Sequence, residues 1–383
     1  MEHDYSKKNV AIIGAGASGC FCAYFLEQYG IDITLFDKGN FLRTLLPTGG
    51  GRCNLAHAEF DIKELAKNYP RGEKFLYSIF SKFSSYDTIE TFEKMGIKTY
   101  TQENGRIFPE SNSAKDVRET LLKKISKSKF VKEEVNGIEP INNGFKVVTP
   151  KSSYFFTDVV IAIGGHSSYE LITNLGINIK EPRPSLVGLN SKENFKDLSG
   201  TVIKNTIWSN YKEDLLFTHF GISGPLAYTI SSIKAFDNTP YKLSLDICPD
   251  LTDLQSELNA NPHKEIKNVL AKFLPQKVVK YILQNTDETI KCHKINGKIR
   301  DLILSRIHNF EINITSTNKG EETVTAGGID LNEINSKTME VKKIQHLYCI
   351  GEVLNIDGFC GGFNLQNAWS TAYVCAEAIK QNN

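Results

Sequence analysis

The sequence predicts an α/β fold in which a parallel-sheet unit opens the chain and is rejoined near its end, with a β-rich and then helical segment inserted between. Three observations predict this. Near the N-terminus an apolar run leads at once into G-x-G-x-x-G and a helical pattern; residues 157–165 (TDVVIAIGG) repeat the run-then-glycine signature; and residues 347–350 form a third buried-type run, followed by four glycines and a helix.

The first run, Val10 to Ile13, is unbroken, as a strand covered on both faces of a parallel sheet requires. Gly14, Gly16 and Gly19 follow, with small Ala15, Ala17 and Ser18 between them. That spacing supplies a tight turn, close backbone approach to a pyrophosphate and tight helix-to-strand packing, the Rossmann-like fingerprint. Cys22, Ala23, Phe25, Leu26 and Tyr29 recur at helical spacing, so a helix from Ser18 to Tyr29 aims its free N–H groups at the phosphates. Gly30 ends it, and a strand from Ile31 to Phe36 delivers Asp37, with Lys38 beside it, where a carboxylate accepts from ribose hydroxyls.

Thr48–Asn54 reads TGGGRCN. Its glycines, Gly50 and Gly51 among them, permit close approach, and Arg52 is a fixed charge suited to phosphate, so this loop is expected at the cofactor with Asn54. Cys53 is read as a small apolar neighbour of that cofactor, with a redox role as the alternative. Residues 59–96 have helical patterning, Ile97–Tyr100 that of a strand, and GRIFPES (105–111) that of a turn carrying Arg106, placed against substrate or solvent. Ser113 is an N-cap for a helix through Lys124. Phe130 to Phe156 alternates as a β-meander around an Asn142-Asn143-Gly144 turn, and Gly164 and Gly165 end the second buried run as another point of cofactor approach.

Composition shifts after Pro182 and Pro184. Ser185 to Asp246 reads as short strands and turns, with Gly221, Gly224 and Pro225 marking a tight corner beside His219. His219 is either a proton donor over a flavin or a hydrogen-bonded structural residue. Leu251 to Ile307 is helical, broken at 259–262; its charged run from Lys264 to Lys298 is read as a solvated helix face rather than a nucleic-acid patch. Gly351, Gly358, Gly361 and Gly362 then place a loop at a strand end, ahead of a helical stripe from Leu365. A second helix N-terminus near the cofactor suits the negative charge that a reduced flavin carries at N1 and C2, which selects FAD over NAD alone. These readings divide the chain into 1–185, 186–323 and 324–383.

Bulk properties exclude several classes. Lys and Arg number 45 against 44 Asp and Glu, so net charge makes no electrostatic case for nucleic acid or an acidic membrane. No apolar stretch reaches transmembrane length and no signal core is present, so a cytoplasmic protein is expected. None of the eight cysteines forms a C-x-x-C pair, so no metal site is expected.

GAGASG, TGGGRCN, GRIFPES, PSLVGL, FTHFGISGP, TAGGIDL with SKTME, and GEVLNIDGFCGGFNLQNAWSTA together resemble the bacterial flavoprotein family that includes dehydro-bile-acid reductase and sequences labelled aminoacetone oxidase. The resemblance spans nearly the whole chain. It implies an FAD domain of the two-dinucleotide-binding flavoprotein type made from both chain ends, with an inserted β-barrel and helical region. It further implies pyrophosphate at Gly14–Gly19, including Ala17 and Ser18, ribose at Asp37, adenine at the backbone of Val135, and the ribityl chain and flavin near Gly351, Glu352, Asp357, Gly362, Asn364, Leu365 and Gln366. Three departures stand out: Asp37 where the family usually has Glu, Leu55-Ala56-His57 where a polar pair is common, and a shortened segment after Gly165.

The expected chemistry is hydride transfer through flavin N5 between transiently bound NAD(P)H and an organic small molecule, with a C=C acceptor as one form. An amine or alcohol oxidase using oxygen is the alternative, and an RNA-modifying or redox-sensing flavoprotein a third.

Overall fold

The computed structural model describes residues 7–165, 169–318 and 324–382, which fall into two compact units divided after Arg183 and before Val324, the first taking both chain ends and the second the segment between. The shortened segment after Gly165 begins with residues 166–168, outside the described residues.

The first unit is built on a five-stranded parallel sheet. Strand β1 (Asn9–Ile13) lies between β2 (Asp32–Phe36) and β10 (Asp158–Ile161); β6 (Lys129–Val131) flanks β2, and β19 (Leu347–Cys349) flanks β10. Val10, Ala11 and Ile12 are wholly buried, as their apolar run requires. Helix α1 (Ala17–Gln28) follows the glycine turn and packs on α12 (Phe363–Gln381). Phe21 and Trp369 meet there at 4.8 Å, both fully buried, and the indole donates to the Leu55 carbonyl at 2.9 Å. Each such burial contributes on the order of 2 kcal/mol or more, so the two chain ends are held by a common apolar seam.

Between β2 and β6 the chain forms β3 (Ala56–His57), α2 (Ile62–Lys67), α3 (Glu73–Phe80), α4 (Ser85–Met95), β4 (Thr99–Thr101), β5 (Arg106–Pro109) and α5 (Ala114–Lys124). The expected cap of α5 is present: Ser113 Oγ accepts from the Asp116 amide at 3.2 Å. RIFP is a strand rather than a turn: β5 pairs as a hairpin with the neighbouring β4 and, on its other side, with the sequence-distant β3, while Gly105 sits in the turn ahead of it. The meander is β7 (Gly137–Ile141), β8 (Gly144–Val148) and β9 (Ser153–Phe156), whereas Phe130 belongs to the parallel sheet. A short α6 (Glu170–Thr173) leads to β11 (Ile179–Ser185), which pairs with β18 (Val324–Ile329).

In the second unit, β12 (Leu189–Ser191), β13 (Val202–Trp208), β14 (Tyr211–Phe217), β15 (Gly221–Ser223), β16 (Tyr241–Leu245) and β17 (Phe310–Thr317) form an antiparallel sheet of order 13-14-15-12-17-16. Reciprocal backbone hydrogen bonds between Ile207 and Asp246 join its edges into a barrel. Gly224 and Pro225 open a helix, α7 (Gly224–Ile233), rather than turn a corner between strands; proline in a first turn needs no N–H partner. The helical part is α8 (Leu254–Ala260), α9 (Ile266–Leu270), α10 (Gln276–Ile282) and α11 (Gly297–His308). Among the described residues no helix is long and apolar enough to cross a membrane, and no three His, Cys, Asp or Glu side chains are grouped to hold a metal.

Candidate active site

The glycine turn has two distinct demands. Gly14 has φ +105° and a Cβ there would overlap the Ala162 carbonyl, while a Cβ on Gly19 would overlap the Gly14 oxygen. Those two glycines serve β1, β10 and α1 packing. Gly16 has φ −81°, and a Cβ on it would meet nothing nearer than Thr44 Oγ1 at 3.8 Å. The protein itself has room there, so the glycine clears space for a ligand. Helix α1 has no side-chain cap and no acid in its first turn, which leaves its N–H groups for an anion. Ala17 and Ser18 lie in that turn.

Asp37 is held by two backbone donors, Ala15 N to Oδ2 at 2.9 Å and Gly39 N to Oδ1 at 2.7 Å. Its remaining lone pairs face a cavity of about 380 Å³ that Gly14, Lys38 and Val135 also line. Lys38 pairs with Glu134 at 2.8 Å, placing opposite charges at the rim. Glu133 also lines this cavity, and its Oε2 is buried without a hydrogen-bond partner. Asp37→Ala is expected to weaken FAD binding about 10- to 100-fold, the worth of hydrogen bonds to a charged acceptor; quenching of FAD fluorescence on titration measures it.

The TGGGRCN segment is a tight turn in which Gly49 and Gly50 adopt left-handed backbone. A Cβ on Gly49 would sit 2.7 Å from the Asn54 amide, whereas Gly50 meets nothing and Gly51 only the edge of contact range. The Arg52 guanidinium lies 4.2 Å over the Phe108 ring. Asn54 is buried with Oδ1 unpartnered, an acceptor aimed at something the protein does not supply. Cys53 is buried, and burial pushes its thiol up to about 12, so it is no thiolate at neutral pH. In the folded protein one thiol, exposed Cys360, is therefore expected to react with Ellman's reagent, and the seven buried ones only after unfolding.

The C-terminal loop meets the first turn. A Cβ on Gly351 would lie 2.9 Å from Ser18 Cβ, and one on Gly362 would lie 2.5 Å from the Ala56 carbonyl carbon. Glu352 accepts from the Thr325 amide at 2.8 Å, and Gly165 abuts both residues, while Thr325 Oγ1 is a further buried orphan. Gly164 has φ +75° with open space about it. Asn364 closes the Gly358 peptide from both sides, at 2.9 and 2.8 Å. Gln366 uses its side chain on Thr88 and Ser370 and its backbone amide on the Gly362 carbonyl at 3.0 Å, and Leu365 is half-buried. Asp357 is completely buried and held by both arms of Arg71.

Arg106 and His57 face each other across β5 and β3. Arg106 is half-buried, and among the described residues its guanidinium has no carboxylate partner. His57 stacks on Phe363 at 4.7 Å and lies 3.1 Å from the Gly361 carbonyl through Nδ1. His219 belongs to the second unit, exposed in the turn between β14 and β15 with its ring edge-on to Phe220. Sequence reading missed Arg71, His57 and Tyr69, whose hydroxyl donates to the Phe363 carbonyl at 2.6 Å. Nothing local marks them, because their partners lie some 300 residues away in sequence.

A carboxylate beside a cavity of about 380 Å³, two glycine-cleared turns and unpartnered acceptors on Asn54 and Thr325 fit FAD, and this arrangement on a Rossmann-type sheet defines an FAD-dependent oxidoreductase. Residues 8–378 match the model described as HI0933-like protein Rossmann domain, and the chain belongs to that family. It is 30% identical to the ribosomal RNA dihydrouridine synthase of Escherichia coli (strain K12), over 96% of this chain and 97% of the relative. It is 32% identical to the protein of the same name from Haemophilus influenzae, over 97% and 98%. Identity to the 3-dehydro-bile acid delta(4,6)-reductase of Clostridium scindens is 25%, over 97% and 99%. Among solved structures, the 3-ketosteroid delta1-dehydrogenase of Sterolibacterium denitrificans shares the fold, with TM-score 0.52 at 10% identity, over 98% of this chain and 100% of that one.

Proposed function

We propose that this protein reduces the C5–C6 double bond of a uracil base in ribosomal RNA, drawing hydride from NAD(P)H. The observation that carries the reading is the near-complete alignment, at 30% and 32% identity, with two proteins named for that product, against 25% for the bile acid reductase. The names share one chemistry: saturation of a C=C bond conjugated to a carbonyl.

FAD, when bound, supplies the hydride relay between nicotinamide and acceptor. The chain's own residues do the rest. Gly14 to Gly19 and the α1 N-terminus bind pyrophosphate, and Asp37 orients the adenosine ribose. Gly351, Gly362 and the Asn54 oxygen line the remainder of the cofactor. Conjugate reduction adds hydride at the β carbon and a proton at the α carbon, so negative charge develops on the carbonyl oxygen. Arg106, a half-buried cation with no carboxylate partner among the described residues, is the candidate donor to that oxygen.

The test is anaerobic stopped-flow absorbance. NADPH or NADH is expected to bleach the flavin band, and ribosomal RNA lacking dihydrouridine to restore it while the RNA gains two hydrogens by mass spectrometry. Restoration by a steroid enone but not by RNA would move the acceptor to a small molecule. Failure of both nicotinamides with FAD bound, together with peroxide formation from an amine or alcohol, would replace the reductase with an oxidase.

A further inference from the structure

The reading above requires a surface for RNA, and a neutral net charge does not advertise one. The charge is not evenly spread. Residues 262–306 hold ten Lys and Arg against four Asp and Glu, although the whole chain is balanced at 45 against 44.

The structure gathers much of this excess at one place. The segments before α9 and before α11 run side by side: the Cys292 amide donates to the Lys264 carbonyl at 2.9 Å, and the His293 amide to that of Pro262 at 3.1 Å. His263 and His293 stand with ring centroids 5.7 Å apart, and His293 Nδ1 lies 2.7 Å from the Pro262 carbonyl, which fixes its ring. A single carboxylate serves the cluster, Glu265, bonded by Lys267 at 3.2 Å and Lys291 at 3.5 Å. Lys264 and Lys294 on the same loops, and Lys298 at the start of α11, are exposed and make no ion pair among the described residues. Between residues 262 and 298 no large apolar side chain is exposed.

We infer that this paired-loop surface of the second unit is the docking site for the phosphate backbone of the RNA substrate. The inference rests on the proposed RNA reading and adds the place. Unpaired lysines release counterions when they meet phosphates, and two exposed imidazoles, one of them fixed, offer faces for an unstacked base. A protein partner fits less well, because stable protein interfaces centre on apolar and aromatic anchors and are poor in lysine.

The experiment is fluorescence anisotropy of a 5′-labelled mixed-sequence RNA hairpin with the FAD-loaded protein, titrated from low to moderate salt. Lys264→Gln/Lys294→Gln/Lys298→Gln is expected to weaken binding at least about tenfold and to flatten the log–log salt dependence by about 2, the share of three phosphate contacts on single strands. Flavin bleaching by NADPH should be unchanged, which shows the variant folded. If wild type binds and the triple variant binds equally, the docking site is wrong while the RNA reading stands. If wild type itself does not bind RNA, the RNA reading falls, and the docking site with it. Tighter binding of polyglutamate than of RNA would assign the surface to an acidic protein and overturn the inference.

Discussion

Gly16→Ala is expected to leave the fold as stable as wild type, or stabler by up to about 1 kcal/mol, while FAD binding falls at least about 100-fold. A Cβ at this position finds open space and a backbone angle that alanine accepts without strain. Alanine also narrows the unfolded ensemble, which favours the folded state where the native angles suit it. The loss therefore falls on the ligand alone, through a methyl group placed where a pyrophosphate must approach the backbone. Gly14→Ala provides the contrast: its Cβ would lie 2.6 Å from the Ala162 carbonyl carbon at φ +105°, so stability and cofactor should be lost together. Urea unfolding and FAD titration of the two variants separate these outcomes. Equal FAD affinity in Gly16→Ala and wild type would remove the turn from the cofactor site.

Arg71→Ala is expected to destabilise the protein by about 3–5 kcal/mol, the consequence of leaving a carboxylate in the interior without its guanidinium. Asp357 has no exposed surface and Arg71 only 14% of its side chain. The pair ties the segment after α2 to the C-terminal loop, so the same change should loosen the loop that carries Gly358 and Gly362. Arg71→Met/Asp357→Asn removes both charges and should recover most of the lost stability, because a matched neutral pair avoids the buried ion. Chemical denaturation of the single and double variants gives the coupling directly. A loss below about 1 kcal/mol in Arg71→Ala would mean that water reaches the carboxylate.

What could be read from the residues alone was whatever depends on near neighbours. The β1–α1–β2 unit and the Ser113 cap are set by short, contiguous sequence motifs, and each appears where spacing placed it. RIFP looked like part of a turn because Gly105 does sit in one and because β3, the partner that makes β5 a central strand, is remote in sequence. Gly224-Pro225 looked like a corner because glycine and proline punctuate strands and open helices alike. At the proposed adenosine end Asp37 was readable as a candidate, since it follows the glycines at a fixed interval. The side chains that brace its other end were not: Arg71 with Asp357, and His57 with Gly361, meet only after the chain has closed on itself.

The parallel sheet needs β19, and α1 needs α12 against it, so the first unit draws on residues beyond 324. The barrel and helices, by contrast, are contiguous from 184 to 323. During synthesis the inserted unit thus has its full complement of residues while the sheet that precedes it still lacks an edge strand and its covering helix. The emerging chain must hold β1, β2, β6 and β10 as an unfinished layer until the last sixty residues clear the ribosome, a window in which apolar surface is open to chaperones and to misassembly.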